Sequence, residues 1–168
     1  MVNYNIFSTT KGYIGLAFTE TGLCRLVLPS TDQEQVRREL LAGAGEDWVE
    51  VSESKYISEL QRYFAGEPVN LNLPVDWSWA TPFQKQVLQL VKQIPYGKTE
   101  TYGSVAEQLG KPQAARAVGN ALSRNRVPLV VPCHRVLASG GRSLGGFTSR
   151  NGLADKVYLL ELEGVKVR

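Results

Sequence analysis

The sequence predicts an α/β protein of the α+β kind: a small N-terminal antiparallel sheet with helices, then a mostly helical C-terminal part containing a helix-turn-helix. Three observations predict it. Short apolar runs broken by tight turns fill the first thirty residues, helical apolar spacing dominates after residue 80, and the charge balance changes sign between the halves. Residues 1–80 hold six Lys/Arg and eleven Asp/Glu, whereas residues 81–168 hold thirteen and five. The switch coincides with the proline-bearing stretch 67–80, so the chain divides into domains 1–78 and 79–168.

In the first domain, Asn3–Phe7, Tyr13–Phe18 and Leu23–Leu28 are separated by turns at Thr9–Gly12 and Glu20–Gly22. This pattern predicts an antiparallel meander, with Cys24 as an apolar residue of its third strand and a strand end before Pro29. Asp32–Leu41 is a short polar helix and Gly43–Glu50 a loop. Ser52 caps a helix carrying Tyr56, Leu60, Tyr63 and Phe64 on one face, and Gly66 ends it. Residues 67–80 form an extended linker.

In the second domain, Thr81-Pro82 marks a helix start, a capping hydroxyl followed by proline in the first turn. Phe83, Val87, Leu90, Val91 and Ile94 repeat at helical spacing, and Pro95-Tyr96-Gly97 breaks the helix. A short helix over Thr101–Gly110 and another opened by Pro112 and running to Arg124 make the helix-turn-helix. The second helix is small and smooth: Ala114, Ala115, Ala117, Gly119 and Ala121 surround Arg116. It offers few side chains to read a major groove. Two readings remain open. Either the small residues let helices pack closely, or the helix enters a narrow groove with Arg116 wedged into the base stack.

Composition excludes several classes. Of 168 residues, 43% are hydrophobic and 21% charged, an ordinary soluble balance. No apolar run approaches the ~18 residues of a membrane span, and the start, Met1-Val2-Asn3-Tyr4, carries no export pattern. There are two cysteines, Cys24 and Cys133, and one histidine, His134. That set excludes a disulfide framework and a four-ligand zinc site. Free thiols suit a reducing, cytoplasmic compartment, nucleoid-associated in a prokaryote. The basic second half points to a polyanionic partner, nucleic acid being the commonest.

The segment Asn125–Val136 carries the chemistry. Pro128 and Pro132 bracket Leu129-Val130-Val131, and the single histidine follows Cys133. A thiolate is a strong nucleophile, and His134 and Arg135 are candidates for the environment that favours it. A buried cysteine beside a structural histidine is the alternative from these residues alone.

Pro132-Cys133-His134-Arg135-Val136 resembles the PCHRV signature of the O6-alkylguanine-DNA alkyltransferases, the methylated-DNA–protein-cysteine methyltransferase family of single-use repair proteins. Pro95-Tyr96-Gly97, Thr101-Tyr102-Gly103, Ala115-Arg116-Ala117-Val118-Gly119 and Asn125 fall at that family's spacings. So do Gly145-Gly146-Phe147, Gly152-Leu153, Lys156 and Leu159-Leu160-Glu161-Leu162-Glu163-Gly164. The resemblance spans about residues 80–164. The first domain fits it only as a shape.

The resemblance implies a DNA repair protein that moves the alkyl group of O6-alkylguanine, and possible substrates such as O4-alkylthymine, to Cys133. His134 would deprotonate the thiol through a water, Glu163 would orient His134, and Asn125 would hold the turn. Tyr102 would bond the guanine ring at N3 and help to push its phosphate outward. Arg116 would fill the gap left by the flipped nucleotide, with Ala115, Ala117, Gly119, Asn120 and Arg124 against the duplex. Pro128 would pack on the base, the Val136 carbonyl would meet the guanine amino group, and the backbone near Ser149 and Arg150 would face O6. The partner is double-stranded DNA carrying the lesion, bound by a monomer, with cooperative binding open. No cofactor, metal or membrane is implied. Some relatives hold zinc in the N-terminal domain, but Cys24 is the only ligand type here. The 147–152 loop departs from the commoner Tyr-x-Gly-Gly form, which bears on substrate size. A non-catalytic lesion sensor, a helix-turn-helix regulator and a cysteine hydrolase are the competing functions. The sensor needs Cys133 buried as a neutral thiol, the regulator has no use for it, and the hydrolase uses it catalytically with His134.

Overall fold

A computed structural model describes residues 1–138 and 144–167. The chain separates into two compact units, Met1–Trp79 and Ala80–Arg168.

The first unit is built on a four-stranded sheet in the order β3-β2-β1-β4. β1 (Asn3–Thr9) and β2 (Gly12–Phe18) form a hairpin, and β3 (Leu23–Ser30) adds antiparallel to β2. The predicted meander is present, and its third strand runs on through Pro29 to Ser30. The sheet is not wholly antiparallel. β4 (Val49–Glu50) lies in the expected loop and pairs parallel with β1. Both its residues are exposed, so it had no inward-outward pattern to reveal it.

α1 (Gln33–Leu41) is capped by Asp32, whose side chain accepts from the Glu34 and Gln35 amides. It buries Val36 and Leu40 against Ala17 and Val27, with Tyr4, Ile6, Cys24 and Trp48 around them. α2 (Ile57–Phe64) starts later than expected. Tyr56 stands at its N-cap with no side-chain bond, and Ser52 lies five residues ahead of the first helical turn. Leu60, Tyr63 and Phe64 are buried as their spacing predicts.

The expected linker is extended, but it is docked rather than free. Leu23 N donates to the Pro74 carbonyl at 2.9 Å and Asp76 N to the Leu23 carbonyl at 2.8 Å. Val69, Leu73 and Val75 are buried. Gly22 permits this approach, since a Cβ there would sit 2.5 Å from the Pro74 oxygen.

The second unit begins with α3 (Pro82–Val91). Thr81 and Gln84 form a reciprocal capping box with proline at the start. β5 (Glu100–Thr101) pairs parallel with β6 (Val136–Leu137). α4 (Tyr102–Gln108) is capped by Thr101, and α5 (Ala115–Ser123) follows after a turn through Gly110. Pro112 does not open α5: the 111–114 stretch is a turn closed by Ala114 N to the Lys111 carbonyl. α3, α4 and α5 pack on one another. α6 (Leu153–Leu162) closes the unit and contacts the short 3₁₀ turn at Cys133–Arg135. Among the described residues, no helix is long and apolar enough to cross a membrane.

Leu40 is fully buried between α1 and the sheet. Leu40→Ala is expected to cost about 2–5 kcal/mol, from lost transfer energy and the residual cavity. Chemical denaturation followed by tryptophan fluorescence checks it.

Candidate active site

The site grows from the turn after α5. Asn125 donates from Nδ2 to the Val131 carbonyl at 2.9 Å and accepts at Oδ1 from Val127 N at 3.0 Å. Val131 N returns to the Val127 carbonyl. Inside this turn Leu129 has φ +74°, a left-handed conformation unusual for a branched residue. Burial of Val127, Leu129, Val130 and Val131 holds it there. The turn delivers Cys133, whose Sγ receives the same Asn125 amide at 3.2 Å.

His134 and Arg135 complete the 3₁₀ turn and point to one carboxylate. His134 is fully buried, with Nε2 2.7 Å from Glu163 Oε2. Arg135 forks onto Glu163 through Nε at 2.8 Å and Nη2 at 2.9 Å, and Nη1 donates to the Ile94 carbonyl. Gly97 N also donates to Glu163, at 3.2 Å. Arg135 therefore turns away from the thiol and serves the carboxylate.

The electrostatics follow. Burial favours the neutral form of Glu163, but the bonds from His134 and Arg135 outweigh it and hold the carboxyl far below its usual range. Burial pushes His134 down; Glu163 opposes this, and Arg135 and Lys156 reinforce it. His134 is neutral. A carboxylate only accepts, so Nε2 carries the proton and Nδ1 the lone pair. Nδ1 is buried with no hydrogen-bond partner among the described residues. Burial pushes the Cys133 thiol up, against the Asn125 amide, Lys156 and nearby backbone N–H groups.

Cys133 opens on a cavity of about 470 Å³. Its wall includes Asn125, Pro128, Tyr102, Phe147 and one face of α5: Ala115, Arg116, Gly119, Asn120 and Ser123. Leu122 adds to that wall, and Val118 and Ala121, off the cavity, are buried. Tyr102 donates to the Gly146 carbonyl at 3.4 Å, and burial raises its hydroxyl. Gly145 lies tight against Tyr102: a Cβ there would come within 2.6 Å of the ring, and φ is +72°. Lys156 donates from α6 to the carbonyls of Val136, Leu144 and Gly146.

The expected residues fall into three places. Cys133, Asn125, Tyr102, Arg116, Ala115, Gly119, Asn120 and Pro128 line the cavity. His134 and Glu163 are buried off the cavity wall and bonded to each other. Ala117, Arg124, Val136, Ser149 and Arg150 lie off the cavity wall. Ala117 and Arg124 line a second depression with Thr81, Gln84 and Asn120. The Val136 carbonyl is engaged by Lys156, and Ser149 donates to Asp155 at 2.7 Å. Phe147 and Thr148, from the loop tied to substrate size, are on the wall, as are Leu122, Ser123 and Ala138, to which the sequence assigned no part. Among the described residues, no cluster of His, Cys, Asp and Glu is arranged to hold a metal.

The buried charges give a pH dependence. Both native values are depressed. Stability from Glu163 is therefore present above its unfolded value of about 4.3 and lost as pH falls below it, and unfolding also takes up a proton at His134 below about 6.5. The melting temperature should decline from about pH 6.5 downward and more steeply below about 4.3. Calorimetry across that range checks it, and a flat profile between pH 7 and 4 is the failing outcome.

Comparison with known proteins places this geometry. The family model for the 6-O-methylguanine DNA methyltransferase DNA binding domain matches residues 82–165. That for the 6-O-methylguanine DNA methyltransferase ribonuclease-like domain matches residues 2–77. The methylated-DNA–protein-cysteine methyltransferase of Methanosarcina acetivorans is 39% identical over 163 residues, 96% of this chain and 97% of the relative. That of Saccharolobus islandicus is 36% identical over 167 residues, 99% of each. Among solved structures, Mycobacterium tuberculosis O6-methylguanine methyltransferase superposes with TM-score 0.77 at 33% identity, covering 97% of this chain and 93% of its own. M. tuberculosis OGT in complex with DNA gives TM-score 0.77 at 34% identity, covering 96% and 92%. Two matched domains and full-length relatives lead to one conclusion: the chain belongs to the 6-O-methylguanine DNA methyltransferase family.

Proposed function

We propose that this chain repairs O6-alkylguanine in double-stranded DNA by taking the alkyl group onto Cys133 Sγ, once per molecule. The observation that carries the reading is a thiol on a cavity wall, next in the chain to a neutral histidine whose tautomer Glu163 dictates.

The lesion atom lies inside the duplex, so the base must leave the stack, at a cost of a few kcal/mol. The smooth cavity-lining face of α5 suits close approach to the minor groove, and Arg116 would occupy the space the nucleotide leaves. The basic 81–168 half would meet the phosphates. Within the cavity, Pro128 offers an apolar face to the ring and Tyr102 a hydroxyl to its N3.

The chemistry is a displacement at carbon. His134 Nδ1 takes the thiol proton through a water. The thiolate attacks the alkyl carbon, the C–O6 bond breaks, and the electron pair stays with guanine. Tyr102 gives its hydroxyl proton to the ring and recovers one from the His134 side. The net reaction is thiol plus alkylguanine to thioether plus guanine. No step regenerates the thiol. O4-alkylthymine presents the same alkoxy carbon on a smaller ring and would enter the same cavity. On this reading residues 1–78 are a scaffold, and residues 79–168 bind DNA and accept the alkyl group.

The deciding experiment is intact-protein mass after mixing with excess duplex containing one O6-methylguanine. One methyl on Cys133, absent from Cys133→Ala, is the expected result. Unchanged mass with lesion-selective binding would make the protein a sensor instead. Arg116→Ala should slow transfer from duplex by roughly 10–100-fold, the share of extrusion energy the side chain supplies, while sparing transfer from the free alkylated base. Equal losses on both substrates would remove Arg116 from extrusion.

A further inference from the structure

A loop in the cavity wall is held by a carboxylate that the transfer just described does not use. Phe147 and Thr148 lie on the wall of the Cys133 cavity, and the chain then passes through Ser149–Gly152 into α6. Gly152, at the N-cap of α6, has no side chain to cap the helix. Asp155, in the first turn, reaches back instead. It accepts from the Ser149 hydroxyl at 2.7 Å, from Asn151 Nδ2 at 3.3 Å and from Asn151 N at 3.4 Å. A hydroxyl on a carboxylate makes a bond roughly twice as strong as one between neutral groups, and the start of a helix favours the negative charge. Backbone bonds close the same turn, Gly152 N to the Ser149 carbonyl and Ala154 N to the Asn151 carbonyl, each at 3.2 Å. On the other side of Phe147 and Thr148, Tyr102 holds the Gly146 carbonyl at 3.4 Å. The two wall residues are therefore fixed between two anchors, one on α4 and one on α6.

We propose that Asp155 is a positioning residue that sets alkyl-group preference: through Ser149 and Asn151 it fixes the Phe147–Thr148 wall, and so favours groups larger than methyl that reach this wall. The proposal rests on the alkyl-transfer reading.

The geometry of the transfer makes size the property affected. In a displacement at carbon, the sulfur, the carbon and O6 stand in line. A methyl group ends at the attacked carbon, which must meet Cys133 Sγ wherever the wall lies. A larger group carries its further atoms sideways from that line, onto the wall. Among the described residues of that wall, Phe147 is the aromatic side chain besides Tyr102, and Leu122, Pro128 and Ala138 are apolar. An aryl ring gains most from such a surface when Phe147 is already in place, since ordering a loop on binding subtracts from the affinity. The bonds balance as they do for methyl: the S–C bond forms, the C–O6 bond breaks, and guanine keeps the electron pair and gains the thiol proton.

The test uses the full chain and follows thioether formation by intact mass. Single-turnover rates are taken from two duplexes that differ only in carrying O6-methylguanine or O6-benzylguanine, so that DNA binding and base extrusion cancel from the ratio. Wild type should take both groups. Asp155→Ala should lose about 10–100-fold in benzyl transfer and stay within ~3-fold in methyl transfer. Asp155→Asn keeps an oxygen acceptor for the Ser149 hydroxyl and should recover benzyl transfer to within ~3-fold of wild type. Ser149→Ala should lower the benzyl-to-methyl ratio too, and should add little to it in the double variant, because the same bond is already gone. Equal losses on both duplexes would make Asp155 a structural part of α6 and overturn the proposal. So would an unchanged ratio, additive effects in the double variant, or wild type that takes methyl but not benzyl. Should Asp155→Ala not fold, the ratio in Ser149→Ala decides. Wild type that takes neither group defeats the alkyl-transfer reading itself, and the proposal with it.

Discussion

The Glu163 carboxylate is the point on which the site depends. It stands at the end of α6 and accepts from Gly97 N, His134 Nε2 and two nitrogens of Arg135. These donors come from the turn after α3 and from the 3₁₀ turn that carries Cys133. One buried group thus joins three segments distant in sequence. The charge count explains why both His134 and Arg135 are needed. Arg135 neutralises Glu163, so His134 need not become a cation to satisfy it. A carboxylate facing His134 alone would pull the imidazole toward the protonated form. The neighbouring arginine leaves the histidine neutral, with its lone pair on Nδ1.

A second constraint acts on the backbone. Leu129 holds a left-handed conformation, which costs on the order of 1–3 kcal/mol for a non-glycine residue. The Asn125 hydrogen bonds and four buried aliphatic side chains of the turn offset it. The strain sits between Pro128, on the cavity wall, and Cys133. The same asparagine amide that closes the turn reaches the sulfur, so turn geometry and thiol environment are set by one side chain. Changes to the turn therefore alter reactivity as well as stability.

Much of this was legible in the sequence, for physical reasons. The apolar spacing of Phe83, Val87 and Val91 and the Thr81-Pro82 start predicted α3, because capping and burial are local. The three strands were legible for the same reason. β4 was not: two exposed residues carry no alternation. Ser52 misled because a capping residue type precedes many segments that are not yet helical. Arg135 was visible as a charge near the thiol, but its partner lies 28 residues downstream, and only the fold brings them together. Lys156 was legible only as a matching position. A lysine in a helix ordinarily means a solvated face, and its three carbonyls come from segments that no periodicity links. The roles of Cys133, His134 and Glu163 came from family likeness; the residues alone left a buried structural cysteine open.

The raised Cys133 thiol fits the proposed chemistry rather than opposing it. A turnover enzyme gains from a thiol that is ionised at rest, since each cycle restores it. A protein consumed by its reaction loses a molecule each time the thiol meets an oxidant or stray electrophile, and such losses follow thiolate character and exposure. Burial that keeps Cys133 protonated in the free protein limits both. The same burial makes the thiolate, once formed, a stronger nucleophile, because intrinsic nucleophilicity rises with basicity. On the proposed reading the neutral His134 then serves as the base at the moment of reaction. An alkylated base that fills the cavity would shut out water, and the Asn125 bond to the sulfur would strengthen as the local dielectric falls. Selectivity for the lesion therefore need not rest on binding alone. On the proposed reading the thiol is quiet until a base occupies the cavity, and only a base carrying an alkyl group gives it a carbon to attack.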